Sequence, residues 1–149
     1  MRIQDALKTK GSEVIAILEA ATLAEAIQLM HVRQIGALAV LTPKGRLRGI
    51  LSEREVVSAI AQDGWRALDW HVSAITPVAG PVVAPTDSIS DAMKIMTEHR
   101  VRHLPVILES TVVGLISIGD AVKARLYEKI VENAVLQDIA RWPRAPLAA

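Results

Sequence analysis

Cysteine is absent from this 149-residue chain, and with it go disulfides, thiolate catalysis and cysteine-type zinc sites. Phenylalanine is absent as well. Aromatic residues total 3%, three Trp and one Tyr, too few for a platform on which single-stranded bases could stack. Neither sign of charge dominates: 17 Lys and Arg face 16 Asp and Glu, so there is no electrostatic footprint for nucleic acid. No apolar run reaches membrane-spanning length and the first residues show no secretory signal pattern, so a cytoplasmic protein without a membrane anchor is expected. His31, His71, His99 and His103 are scattered, and no two have the spacing of a helical metal site. What remains is an ordinary globular composition, 51% hydrophobic and 22% charged, suited to one compact body or two half-domains.

What the chain does have is an internal repeat. Thr22-Leu23-Ala24-Glu25-Ala26-Ile27-Gln28-Leu29-Met30 returns as Ser88-Ile89-Ser90-Asp91-Ala92-Met93-Lys94-Ile95-Met96. The match persists to Val40-Leu41 against Val106-Ile107. After a loop one residue shorter in the second copy, Gly49-Ile50-Leu51-Ser52-Glu53-Arg54-Glu55 pairs with Gly114-Leu115-Ile116-Ser117-Ile118-Gly119-Asp120. The unit is longer than the usual solenoid repeat. Each copy alone is too short to bury a good core, so the two are expected to pack as one body with a ligand cleft between them.

Hydrophobic spacing gives the elements. Leu23, Ala26, Ile27 and Met30 fall on one helix face, and Ile89, Ala92, Met93 and Met96 repeat it. Thr22 with Glu25, and Ser88 with Asp91, read as capping boxes that start these helices. Ala37–Leu41 and Leu47–Leu51 flank Pro43-Lys44-Gly45 as a hairpin; Leu104–Leu108 and Val112–Ile116 do the same around Glu109-Ser110-Thr111. A second helix follows in each copy, and a leading strand precedes each first helix, at Val14–Leu18 and Val82–Ala84. Ile3-Gln4-Asp5-Ala6 is echoed by Val72-Ser73-Ala74-Ile75, so each copy opens with a short docking helix. The last helix continues through Val131, Val135 and Ile139 and is expected to stop at Trp142-Pro143. This divides the chain into repeat 1 with its docking helix (1–66), repeat 2 (67–127), and a helical extension and tail (128–149).

The chemistry-bearing stretch lies where the last strand of copy two enters its helix, Gly114 to Asp120. Glycine admits a ligand to the backbone, Ser117 offers a hydroxyl, and a helix amino terminus favours anions. Asp120 falls one turn in, where a carboxylate suits a pair of ribose hydroxyls. Arg102 and His103 enter the neighbouring strand as candidate phosphate cations. Val82 and Val83, with Ile116, are candidate apolar walls for a base. Yet Ser-x-x-Asp at a helix start is also a capping box, which stabilises the helix by about 1 kcal/mol and binds nothing. Ser52 with Glu55 fits that plain description better still. Recurrence of the whole arrangement in a repeated unit is what favours a site.

These residues resemble a known family. The two copies are similar to cystathionine-β-synthase-type (CBS) domains, and the tandem resembles a Bateman module, over nearly the whole chain from Ile3 to about Tyr127. The stretches that carry the resemblance are Gly49 to Glu55, His99-Arg100-Val101-Arg102-His103-Leu104-Pro105-Val106, and Gly114 to Asp120. It implies an α/β (α+β) fold of two pseudo-twofold-related β-α-β-β-α repeats in one disc-like module. It implies clefts for adenosine-containing ligands: AMP, ADP, ATP, a nicotinamide dinucleotide or S-adenosylmethionine. By position, Asp120 would be the ribose carboxylate, with Ser117 beside it and Arg102 and His103 on the phosphates. In copy one the aspartate is replaced by Glu55 and the basic pair by Gly36 and Ala37, while Arg54 offers a phosphate partner. That leaves the copy-one cleft empty, weaker, or completed by Arg102 or His103 from across the interface, and makes copy two the expected tighter site.

The function these expectations favour is a stand-alone, non-catalytic regulatory module for energy or redox sensing. It would signal to an unidentified regulated protein through differential affinity between conformations. A structural dimerisation block without a physiological nucleotide is one alternative. A small nucleotide-processing enzyme is another, opposed by the missing metal cluster and the lack of a nucleophile with a base; nor is there room for the catalytic barrel of dehydrogenases that carry such modules. Apolar positions Val56, Ile60, Val122, Leu126, Val131 and Val135 predict a homodimer.

Overall fold

The computed structural model describes residues 1–11, 13–78 and 80–141. Helix α1 (Ile3–Lys10) is followed by β1 (Ala16–Leu18), α2 (Leu23–Arg33), β2 (Ala37–Leu41), β3 (Leu47–Ser52) and α3 (Glu53–Asp63). Two 3-10 turns, Gly64–Asp69 and Val72–Ala74, lead to α4 (Ile89–His99), β4 (His103–Leu108), β5 (Thr111–Ser117) and α5 (Ile118–Arg141). The α/β repeat architecture is as expected. The anticipated stop at Trp142-Pro143 lies outside the described residues.

The repeat is reproduced down to its caps. The Thr22 backbone N–H donates to Glu25 Oε2 (2.7 Å) and the Glu25 N–H donates back to Thr22 Oγ1 (3.2 Å). At α4 the Asp91 N–H donates to Ser88 Oγ (3.0 Å). Both helices end on a left-handed residue at the same repeat position, Gln34 and Arg100, each with φ of 54°. Leu23, Ala26 and Met30 are buried on one face, and Ile89, Ala92 and Met96 on the other.

In the first half, β1 pairs parallel with β2, and β2 antiparallel with β3. In the second, β4 and β5 form an antiparallel pair. The register shifts between Val40 and Leu41 in one hairpin and between Val106 and Ile107 in the other. The second half departs from the expected pattern in one respect: Val82–Ala84 is not a strand. A single parallel bridge joins Val83 to Val106, with Val83 N–H on the Pro105 carbonyl and Ile107 N–H on the Val83 carbonyl. Pro81 and Pro85 bracket this segment, and neither has an N–H to extend the ladder.

The docking segments cross over. Ile3 and Leu7 of α1 are buried not among copy-one residues but with Val83, Ile89, Ala92, Met96, Leu104, Val106 and Ile116. Backbone bonds from Ile3 N–H to the Asp87 carbonyl and from Gln4 N–H to the Pro85 carbonyl, 2.9 Å each, fix the helix there. Conversely, Val72 completes the first core, beside Ala26, Met30, Leu38, Val40 and Leu51. Full burial of an aliphatic side chain contributes about 1.5–3 kcal/mol, so Ile3 and Leu7 tie the chain's start to its second repeat. The packing units therefore cut across the sequence repeats.

Two equivalent glycines make room for these segments. A Cβ on Gly114 would lie 2.7 Å from Leu7 Cδ1, and a Cβ on Gly49 would overlap the Pro77 carbonyl oxygen. These positions need glycine for close approach rather than for its torsional freedom.

Candidate functional site

A cleft of about 620 Å³ opens between the two halves. The β3–α3 junction supplies Ser52, Glu53, Arg54 and Glu55 on one side. The turn after α4 and the start of β4 supply Arg100, Arg102 and His103 on the other, and the connector supplies Gly80, Pro81 and Val82. Six of the residues picked from sequence thus meet here: Ser52, Arg54, Glu55, Val82, Arg102 and His103. Val82, half exposed at 50%, is an apolar wall.

Charge in the cleft is unevenly committed. Arg48 is engaged by Glu19 (3.0 Å) and the Ser73 carbonyl (3.2 Å). Arg54 reaches across the halves, its Nη1 donating to the Arg100 carbonyl at 3.4 Å, a long and weak bond. Among the described residues the guanidinium groups of Arg100 and Arg102 have no hydrogen-bond or ion-pair partner. Glu53 and Glu55 are the opposing acids. The Ser52 backbone N–H donates to Glu55 Oε2 at 2.8 Å and its hydroxyl donates to the same oxygen, which leaves Oε1 without a protein partner among the described residues. The local balance favours an anion, with one carboxylate oxygen open to a hydroxyl.

His103 is the cleft's disfavoured cation. Burial and the neighbouring Lys10 hold its imidazole below the ordinary histidine range, outweighing the upward pull of Asp120 and Glu53. A bound phosphate would pull in the opposite direction.

Four sequence candidates lie elsewhere. Val83, 2% exposed, and Ile116, 0% exposed, are core residues and cannot line a pocket. Successive side chains along an extended segment point to opposite faces, so Val82 and Val83 could not both face the cleft. Ser117 and Asp120 do not line it either. Asp120 Oδ2 accepts from the Ser117 N–H (2.8 Å), the Ser117 hydroxyl (2.7 Å) and Lys10 Nζ (2.6 Å). Burial pulls the Asp120 carboxyl upward, but the hydrogen bonds from Lys10 and Ser117 prevail and hold it below the ordinary range.

Sequence reading passed over Lys10, Glu53 and Arg100. Arg100 carried a signal, since it sits inside the basic run His99 to His103. Lys10 carried none, because only the crossing of α1 brings it to Asp120. A second, shallower groove of about 840 Å³ lies along α3, lined by Ser58, Gln62, Trp70 and His71, and shares Arg54 and Glu55 with the cleft. Among the described residues no three His, Asp or Glu side chains converge as a metal site, and no helix is long and apolar enough to cross a membrane.

This geometry can be set beside known proteins. The CBS domain model matches the chain twice, over residues 6–62 and 72–127. The chain belongs to the CBS domain family. It is a tandem CBS pair. Over 147 residues it is 31% identical to the mitochondrial CBS domain-containing protein CBSX3 of Arabidopsis thaliana, covering 91% of this chain and 71% of that protein. A crystal structure of a CBS-domain protein from Agrobacterium tumefaciens superposes with a TM-score of 0.80 at 35% identity, covering 83% of this chain and 92% of that one. A CBS domain protein from Pyrobaculum aerophilum, solved in complex with AMP, superposes at 0.72 with 25% identity, covering 80% and 89%.

Proposed function

We propose that this CBS pair is a non-catalytic regulatory module of the cytoplasm. In this reading it binds an adenosine nucleotide in the inter-repeat cleft and passes its occupancy to a regulated protein. One observation carries it: the two halves bring complementary parts to a single cleft, Val82 as base wall, uncommitted Arg100 and Arg102 with Arg54 for phosphates, and Glu55 for a ribose hydroxyl. The AMP complex of the Pyrobaculum protein lends support to the ligand class. AMP, ADP and ATP fit the cluster of arginines best; a nicotinamide dinucleotide or S-adenosylmethionine shares the nucleoside. Ser52 donates its hydroxyl proton to Glu55, which orients the carboxylate at the start of α3.

Self-association belongs to the same reading. Leu126 (60% exposed), Val131, Val135 and Ile139 leave much of α5 apolar and uncovered, with Ile60 and Val122 nearby in the repeat scheme. Val56, counted in that face from sequence, instead packs against the cores. Covering such a face suits a twofold dimer. Light scattering at micromolar concentration tests it, and a monomer would refute it.

The ligand is tested by mass spectrometry of small molecules released from freshly purified protein, followed by calorimetric titration with AMP, ADP and ATP. Saturable binding that weakens with added salt is the expected result. Failure of all three to bind would remove the nucleotide reading and leave the dimerisation module, which the exposed α5 face supports.

A further inference from the structure

The two carboxylates that begin α3 and α5 are held alike by their serines, but only one is also held by a cation. Asp120 Oδ2 receives three donors, two from Ser117 and one from Lys10; Glu55 Oε2 receives its two from Ser52 alone. Lys10 Nζ also donates to the Leu115 carbonyl at 3.0 Å, so the ammonium group bridges β5 and the start of α5. Its position is built in. Leu7, one turn earlier, is buried over Gly114, and Gly11 closes the helix with its N–H on the Leu7 carbonyl at 2.8 Å. The corresponding end of the other docking segment, Pro77 to Pro81, contains no charged residue.

The geometry points to Lys10 as a resident counter-cation that latches the second half's ligand position, leaving this chain one open nucleotide site, at Glu55, and one closed. This rests on the nucleotide reading above and reverses the expectation that copy two binds more tightly. Asp120 Oδ1, like Glu55 Oε1, has no protein partner among the described residues, so what sets Asp120 apart is the ammonium group on Oδ2, which a ribose diol that takes both oxygens has to displace. Displacement strips a cation of its partner beside the half-buried His103, whose imidazole Lys10 already disfavours as a cation. The Lys10 and Asp120 side chains are 42% and 25% exposed, and an ion pair so placed is weak. The latch is therefore one that a neutral side chain opens.

The test is calorimetric titration of AMP and ATP into the wild-type chain, Lys10→Gln and Lys10→Met, with ¹³C-carboxyl NMR titration of Asp120 in the same three proteins. The methionine variant keeps the unbranched stem, so a packing effect of the stem separates from loss of charge. Expected are one site per chain in the wild type, two in both variants, and an Asp120 carboxyl that titrates at higher pH once Lys10 is gone. Two sites in the wild type, or one site of unchanged affinity in the variants, overturns the latch while the nucleotide reading stands. A wild-type site lost in Lys10→Gln makes Lys10 a ligand contact and overturns the latch too, as does an Asp120 titration indifferent to Lys10. No binding in the wild type with one site in the variants retains the latch and removes the Glu55 site. No binding anywhere removes both.

Discussion

The first half of the molecule presents Ser52 and Glu55 to an open cleft; the second presents Ser117 and Asp120 to a lysine. The two helix starts share a serine followed three residues later by an acid, with serine N–H to carboxylate distances of 2.8 Å in each. What separates them is what the rest of the chain lays against them. Arg102 and Val82 of the second half face Glu55, whereas α1 brings Lys10 to Asp120. A repeated motif sets a local shape, and the unrepeated segments around it decide what that shape can do.

The sharpest way to break this comparison is at the two glycines. Gly49→Ala drives a Cβ into the Pro77 carbonyl, a backbone atom, while Gly114→Ala meets the flexible end of Leu7. Overpacking costs about 1–3 kcal/mol, sometimes more. Gly49→Ala is expected at or above the top of that range and Gly114→Ala near the bottom, read by urea denaturation. Equal losses would mean that the docking segments are gripped alike.

Next comes ligand affinity. Arg102→Ala should weaken AMP and ATP by about 1.5–3 kcal/mol, the usual worth of hydrogen bonds to a charged group. Asp120→Ala should leave binding at the Glu55 cleft within about twofold, a difference of under roughly 0.5 kcal/mol. The reverse ranking in calorimetric titration would move the site to the second half.

The paired caps give a smaller effect. Thr22→Ala and Ser88→Ala should each cost about 1 kcal/mol, and Ser88→Ala the more of the two: its hydroxyl loses bonds of 3.0 and 2.6 Å against 3.2 and 3.1 Å at Thr22, and the backbone bond from the Thr22 N–H to Glu25 survives the substitution. Thermal melts that rank Thr22→Ala first would count against this reading of the caps.

The smallest expected change is with pH. The folded His103 pKa lies below its unfolded value near 6.5, so the unfolded chain takes up the proton first. That histidine's contribution is whole above pH 6.5 and is lost as pH falls through the folded value. Ala37, its counterpart in the first half, has nothing to titrate. His103→Gln should flatten the acid-side slope of stability between pH 7 and 5; an unchanged slope would show that His103 is not held neutral.

Much of this architecture was legible in the sequence because apolar spacing is a local signal. The face Leu23, Ala26, Met30 and its copy Ile89, Ala92, Met96 marked both helices, and the Ser/Thr-x-x-acid boxes marked their starts. The crossing of α1 was not legible, since Ile3 and Leu7 announce a buried face without saying which core receives it. The same gap hid Lys10 and split the expected site. Asp120 and Arg102 are close in the repeat scheme, but the structure assigns Arg102 to the opposite helix start. Val83 and Ile116 show a simpler limit: an apolar residue suits a pocket wall and a core equally, and only the fold reveals that these two are buried.

The crossed docking segments also set an order of assembly during synthesis. The first half can close once Ile75 has left the ribosome, because its core and the residues packed against it lie between Ile15 and Ile75. The second half cannot. Ile3 and Leu7, made before the whole of the first repeat, stay without their core until Leu104, Val106 and Ile116 have emerged. Contacts so distant along the chain form slowly, and an apolar segment left waiting is open to wrong partners. Helix α1 is thus the element most in need of shelter while the second repeat is being made.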